Sequence, residues 1–287
     1  MHKKHRISKI VAGHDMHIGA GFQAKHFGEN SFDGLVDPLV MLDHFHMRQP
    51  TFDPHPHAGI SAVTYMFEDS TSPHINYDSL GNTGPINPGD LHWMVAGSGV
   101  VHTEQPEGKN PLVHALQIFV NLPSSKKFIA PHAVHVDAAD IPEFSAPGLR
   151  VRVVTGEFQG LCSPAILPEP YTLLDGFLAA DGVFEHTLQE GWNAMVYVVQ
   201  GIVNLNIGGE QLVLTETNAI GLSGAATVVL TTNDSAHVVI LSGPALNEPL
   251  IKHGPFVMST TAQMHDRLQA YRDGKFGELN MPAPAVG

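Results

Sequence analysis

Glycine and proline interrupt this chain at short, even intervals, with 28 of the former and 21 of the latter spread over 287 residues. Little long helix survives such punctuation. Proline removes a backbone donor, and glycine loses the most conformational freedom on folding. Short strands joined by turns fit between the breaks. Residues 63–67 and 112–120 supply strand candidates in the first half. The second half offers 149–154, 194–199, 202–207, 211–214, 227–231 and 237–241. This spacing predicts an all-β chain built as sandwiches or closed barrels. A charged fraction of only 15% agrees, because exposed salt-bridged helices would raise it.

One segment departs from the β pattern. Thr260-Thr261-Ala262-Gln263 has the form of a capping box, Met264, Leu268 and Tyr271 follow at helical spacing, and Gly274 is a natural stop. A short C-terminal helix packed on a barrel is expected there. A weak internal duplication is also visible. A turn at Gly81-Asn82-Thr83-Gly84 followed by Pro88-Gly89-Asp90 is echoed by Gly208-Gly209 and then Thr217-Asn218-Ala219. With Pro142 and Pro147 marking a break, the reading is two β domains, 1–135 and 136–287.

A formal charge of −13 argues against direct nucleic-acid binding, which needs a cationic surface. The single cysteine, Cys162, forbids an intrachain disulfide and suits a reducing compartment. No apolar stretch follows the basic start His2-Lys3-Lys4-His5-Arg6, and the uncharged run between Glu190 and Glu210 is broken by polar residues and glycines. A soluble, cytoplasmic protein without a membrane span is expected.

Nineteen histidines are present, and only those at ligand spacing point to a metal. In Pro54-His55-Pro56-His57-Ala58-Gly59 two histidines stand at i and i+2, so on an extended backbone both project from one face. In Val100-Val101-His102-Thr103-Glu104 a histidine and a carboxylate repeat that spacing. Facing strands would then present three imidazoles and one carboxylate to a single ion at roughly 2.0–2.2 Å, with positions left open for substrate or O2. The mixed N/O set suits one divalent metal ion, Fe(II) best, with Mn, Co, Ni, Cu or Zn able to substitute. A competing pair, His44 and His46, lies beside Asp43 but lacks a partner pair; His2/His5 and His132/His135 read as loop or solvated residues.

These residues resemble the pirins, members of the cupin superfamily. The resemblance runs through Asp37-Pro38-Leu39-Val40-Met41-Leu42-Asp43, Pro54-His55-Pro56-His57, Val63-Thr64-Tyr65 and Asn87-Pro88-Gly89-Asp90-Leu91-His92-Trp93-Met94. It continues in Ala96-Gly97-Ser98-Gly99-Val100-Val101-His102-Thr103-Glu104, Val120-Asn121-Leu122-Pro123 and His253-Gly254-Pro255-Phe256-Val257-Met258. It implies a bicupin: two β-barrel (jelly-roll) domains packed face to face, with iron in the N-terminal barrel held by His55, His57, His102 and Glu104. The chain departs from the family at Ala58, where Arg or Lys is common, at Ser61, where an acid is common, and at Ala115-Leu116-Gln117-Ile118-Phe119. Those changes spare the ligands and bear on the substrate.

The second half lacks a His-x-His pair. His186 and His237 stand alone there, so a C-terminal domain without a metal is expected. The resemblance implies two kinds of function. One is a metal-dependent oxidoreductase like quercetin 2,3-dioxygenase, opening a flavonol-type aromatic substrate with O2. Glu104 is then either a plain ligand or also the base that takes the substrate's hydroxyl proton. Phe45, Phe52, Trp93, Met94 and Phe119 are candidate pocket residues for the ring, unless they merely pack the core. The other kind is an iron-binding regulator acting through a transcription factor or enzyme partner. A dioxygenase for another small molecule is a third reading.

Overall fold

The computed structural model describes residues 5–279. Nearly all regular structure is antiparallel strand, joined by one α-helix, Thr261–Arg272, and three short 3-10 turns among the described residues. The architecture is all-β, with a single α-helix among the described residues. No helix among the described residues is long and apolar enough to cross a membrane.

The chain divides into two compact units, and neither is a continuous run. One comprises Met16–Ala24, Phe45–Ala138 and Glu248–Gly287; the other comprises Met1–Asp15, Lys25–His44 and Ala139–Asn247. Both units are interleaved in the first half of the chain, where Lys25–His44 belongs with Ala139–Asn247. The two ends each join the other half's unit as well. The reason lies in backbone pairing. Arg6–Ile7 and Val11–Ala12 add to the strand Asn218–Ser223, whereas Val257 N donates to Ala58 O at 3.0 Å beside a parallel bridge between Ala58 and Phe256.

In the unit that carries the His-x-His pair, four strands of the larger sheet run in the order His132–Val136, Leu91–Val95, Ile60–Met66 and Val113–Asn121. A four-stranded sheet has the order His55–His57, Val100–Pro106, His74–Asp78 and Thr83–Ile86. Every residue of Ile60–Met66 is buried, Ser61 and Thr64 included, so this strand is covered on both faces. The turn between His57 and Ile60 is held from several sides. Gly59 has φ +77° and donates to Gly97 O at 2.8 Å, and a Cβ there would meet Val257 O at 2.0 Å, so only glycine fits. Fully buried Lys127 donates to Gly59 O (2.9 Å), Asn121 Oδ1 (2.6 Å) and Val257 O (3.0 Å). Its burial pushes the ammonium pKa down to about 8.

In the other unit the sheet order is Asn218–Ser223, Trp192–Ile207, Ser235–Pro244, Thr172–Ala179, Leu149–Thr155 and Glu143–Ala146. Trp192–Ile207 is one 16-residue strand where two were expected. Its register shifts between Val198 and Gln200, and Gly201 takes φ +85°. A bulge bends the strand at Gln200-Gly201 without ending it, so turn-like residues do not mark a turn here. Leucine, valine and isoleucine side chains from these strands, with Phe158 and Phe184, form one apolar cluster.

The helix begins as expected. Thr260 caps it and exchanges reciprocal hydrogen bonds with Gln263, and Gly274 has φ +72° just beyond its end. Met264 and Ala270 bury against Phe256, Met258, Phe276 and Ala58.

Candidate metal centre

His55 and His57 occupy the strand His55–His57, where His55 faces His102 and His57 faces Val100 across the antiparallel ladder. Strand alternation puts all three imidazoles on one face. One ring nitrogen from each of His55, His57 and His102 lies within 4.8 Å of the others. The ring centroids are 4.8–4.9 Å apart. Asp53 O accepts from His55 Nδ1 at 2.9 Å, which leaves Nε2 as the free lone pair.

The burial of these groups tests whether a cation fits. His57 and His102 are 2% and 3% exposed. Neither nitrogen of His57, nor Nδ1 of His102, makes a hydrogen bond of normal geometry among the described residues. Burial, with charge repulsion from His102 and His55, pushes His57 well below its ordinary value, although Glu104 and the Pro255 carbonyl oppose this. Burial likewise pushes His102 down to about 4 against the pull of Glu104. Neutral, buried imidazoles with unpaired lone pairs are costly to leave empty-handed, and a divalent ion fits them.

Glu104 is also buried, two residues along the strand from His102. Thr64 Oγ1 donates to its Oε2 at 2.6 Å, and His74 Nε2 lies 3.4 Å from the same oxygen. Oε1 is the oxygen nearer His102, 4.0 Å from Nδ1. Burial alone would raise the Glu104 pKa, but the hydrogen bond from His74 and the charges of His74, His102 and His92 hold it well below the usual carboxylate range. Glu104 is therefore a fixed anion of low proton affinity.

His74, Thr64 and His92 were given no role in the site from the sequence. Register explains their roles: His92 and Gln117 both face Thr64, and Asn76 faces Glu104. The signal was present as alternation along Ile60–Met66, but a strand buried on both faces does not show which face holds the polar groups.

The five candidate pocket residues separate. Phe119 meets His57 edge-on at 5.0 Å, and Met94 lies opposite Ala62, as Phe119 does. Phe52 is 6.3 Å from His55 and Phe45 is 6.1 Å from His74. Trp93 is a correction. It pairs with Val63, so alternation turns its indole to the face opposite Thr64, His92 and the histidine cluster. It is a core residue, 2% exposed.

The competing histidines have other work. His44 Nδ1 is 2.5 Å from the Tyr197 hydroxyl, and His46 stacks on His114 with centroids 4.2 Å apart. His5 lies 3.7 Å from Glu210, His132 Nδ1 approaches Ala130 O, and His2 is outside the described residues. His135 joins Asp90 and Asp137 in a second group of metal-type donors. Both Asp90 oxygens already accept backbone N–H groups, from Asn87 and Ala138 at 2.7 Å each, which makes this a turn-holding carboxylate. In the other unit His237 pairs with Asp175 at 2.5 Å and stacks on Phe177.

The chain as a whole is similar to known proteins. The Pirin family model matches residues 16–120 and the Pirin C-terminal cupin domain model matches 173–277. Human Pirin is 34% identical over 245 residues, covering 84% of this chain and 83% of that protein. The chain belongs to the pirin family. A putative quercetin 2,3-dioxygenase from Pseudomonas aeruginosa is 31% identical over 283 residues, 93% of this chain and 96% of that one. Among solved structures, a quercetin 2,3-dioxygenase from Acinetobacter baumannii superposes with a TM-score of 0.84 at 27% identity, covering 96% of this pirin and 99% of its own chain. A bacterial pirin from Escherichia coli, solved with nickel(II), shares the fold with a TM-score of 0.62 at 18% identity, over 84% and 99% of the two chains.

Proposed function

We propose that this pirin is a metal-dependent dioxygenase of the quercetin 2,3-dioxygenase type, with His55, His57, His102 and Glu104 holding one divalent ion, Fe(II) by preference. The observation that carries the reading is the convergence of one ring nitrogen from each of His55, His57 and His102, partly orphaned by burial, with the anionic Glu104 carboxylate 4.0 Å from His102 Nδ1. Relatives and solved structures named quercetin 2,3-dioxygenase support the substrate class. Bound there, the ion would supply Lewis acidity and electron exchange with O2.

The chain's own residues do the remainder. Asp53 O fixes the His55 tautomer, and Thr64 and His74 hold Glu104 Oε2, leaving Oε1 turned towards His102. Phe119 and Phe52 offer apolar surface beside His57 and His55 for a planar ring. Glu104 is the group placed to receive the flavonol's 3-hydroxyl proton, a transfer that its low proton affinity favours only from an acidified hydroxyl. The net reaction adds both atoms of O2 to the flavonol, opens the ring and releases carbon monoxide.

The test is oxygen uptake by anaerobically Fe(II)-loaded protein after quercetin is added. Uptake should match flavonol loss mole for mole, and Glu104→Gln should lower turnover by roughly 10²–10⁴-fold, the range for loss of a proton-transfer group, while keeping the fold. No uptake with iron bound stoichiometrically would transfer the site to a regulatory role through protein partners or to a dioxygenase for another small molecule.

A further inference from the structure

The unit without the histidine cluster has a cavity of its own. It measures about 730 Å³, within the size range of small-molecule sites. Phe158 forms part of its wall and is itself packed edge-on against Phe184 at 5.4 Å. Tyr171, half-buried Trp192 and half-buried His186 add further ring surface. Ser242 also lines it. That hydroxyl is 2% exposed and has no hydrogen-bond partner among the described residues. A buried, unpartnered hydroxyl is destabilising, and beside a roomy cavity a polar guest would satisfy it.

Charge selects the guest. Glu157 and Glu185 are the charged side chains of the lining, and no lysine or arginine accompanies them. His186 does not offset them, because burial pushes it down to about 4 and keeps it neutral at physiological pH. An anion would meet two carboxylates. A cation would meet those carboxylates and aromatic faces of the kind that attract ammonium groups. The location is also informative: His186 lies on the strand Val183–Thr187, which precedes the turn into Trp192–Ile207 as His55–His57 precedes the turn into Ile60–Met66. The two units thus share this order of short strand, turn and longer strand.

We propose that this cavity binds a small organic cation, an aromatic amine or quaternary ammonium compound, through Trp192, Glu157, Glu185 and the Ser242 hydroxyl. The proposal is independent of the metal centre.

Titration calorimetry of the full-length protein tests it with phenyltrimethylammonium as the probe and benzoate as the anionic control. Saturable binding of the cation but not of benzoate is expected. Removing metal with a chelator should leave it unchanged, and the double substitution Glu157→Gln/Glu185→Gln should weaken it by about tenfold. Both carboxylates are exposed, so that variant should fold, which circular dichroism would confirm. Absence of saturable cation binding, equal binding of benzoate, undiminished binding by the double variant, or loss of binding on chelation would each overturn the proposal.

Discussion

Thr64 Oγ1 reaches Glu104 Oε2 at 2.6 Å and also lies 3.2 Å from Gln117 Oε1. It holds a carboxylate whose other oxygen is the one that faces the histidines. Groups that orient a ligand in this way are typically worth roughly 10–100-fold in metal affinity. Thr64→Val removes the hydroxyl and keeps the branched shape, so it should weaken metal binding by about that factor in competition with a chelator. An affinity equal to that of the unaltered protein would show that Thr64 only packs. The shared face of His55, His57 and His102 was legible from spacing, because period-two alternation turns an i, i+2 pair to one side. Thr64 and His74 were not legible. Their relation to Glu104 depends on which strands neighbour each other, and nothing local in the sequence encodes that.

At the scale of elements, the Asp90 turn gives a pH-dependent prediction. The hydrogen bond to Asp90, reinforced by that carboxylate and Asp137, raises His135 above its ordinary 6.5. Burial works against the ionised form of Asp90, but the bonds from His135, Asn87 and Ala138 bring it below its ordinary 3.8. Each folded state therefore favours the charged partner. The stabilisation from His135 is fully present below pH 6.5 and disappears as pH rises through its raised folded value; that from Asp90 disappears as pH falls through its lowered one. The melting temperature of the unaltered protein should exceed that of His135→Asn near pH 5, with the gap closing by about pH 8.5. A constant gap across that range would contradict the ion pair. Local sequence was informative about some elements and misleading about others. The capping box at Thr260 predicts its helix because both bonds lie within one turn of chain. The strand Trp192–Ile207 was read as two, since Gln200 and Gly201 carry turn-like chemistry that the neighbouring strand Ser235–Pro244 accommodates as a bulge.

At the scale of the whole molecule, the chain's two ends exchange places between units, which a linear reading of domains does not anticipate. Glu248–Gly287 joins the unit of the histidine cluster through Val257, Lys127 and the Ala58 bridge. On the proposed assignment, ion binding and the folding of this unit are linked. At a free metal concentration about 100 times the dissociation constant, the ion should stabilise that unit by roughly 2.7 kcal/mol. Calorimetric scans should show a transition that shifts down on chelation and returns when metal is restored; a thermogram indifferent to chelation would mean that no ion is coupled to folding. The fold class was legible because glycine and proline spacing permits little besides short strands. The exchange of ends was not, because strand pairing between residues two hundred positions apart leaves no local trace.

The claim on which the account depends is that His55, His57, His102 and Glu104 hold one ion, and metal stoichiometry by inductively coupled plasma mass spectrometry tests it most directly. The measurement compares the unaltered protein, His57→Ala, and the double variant His44→Ala/His46→Ala, each loaded with Fe(II) without oxygen and then desalted. The account predicts about one ion per chain in the unaltered protein and the double variant, and near loss in His57→Ala, whose three remaining ligands release the ion readily. Stoichiometric iron in His57→Ala, or its loss from the His44/His46 variant, would contradict the assignment.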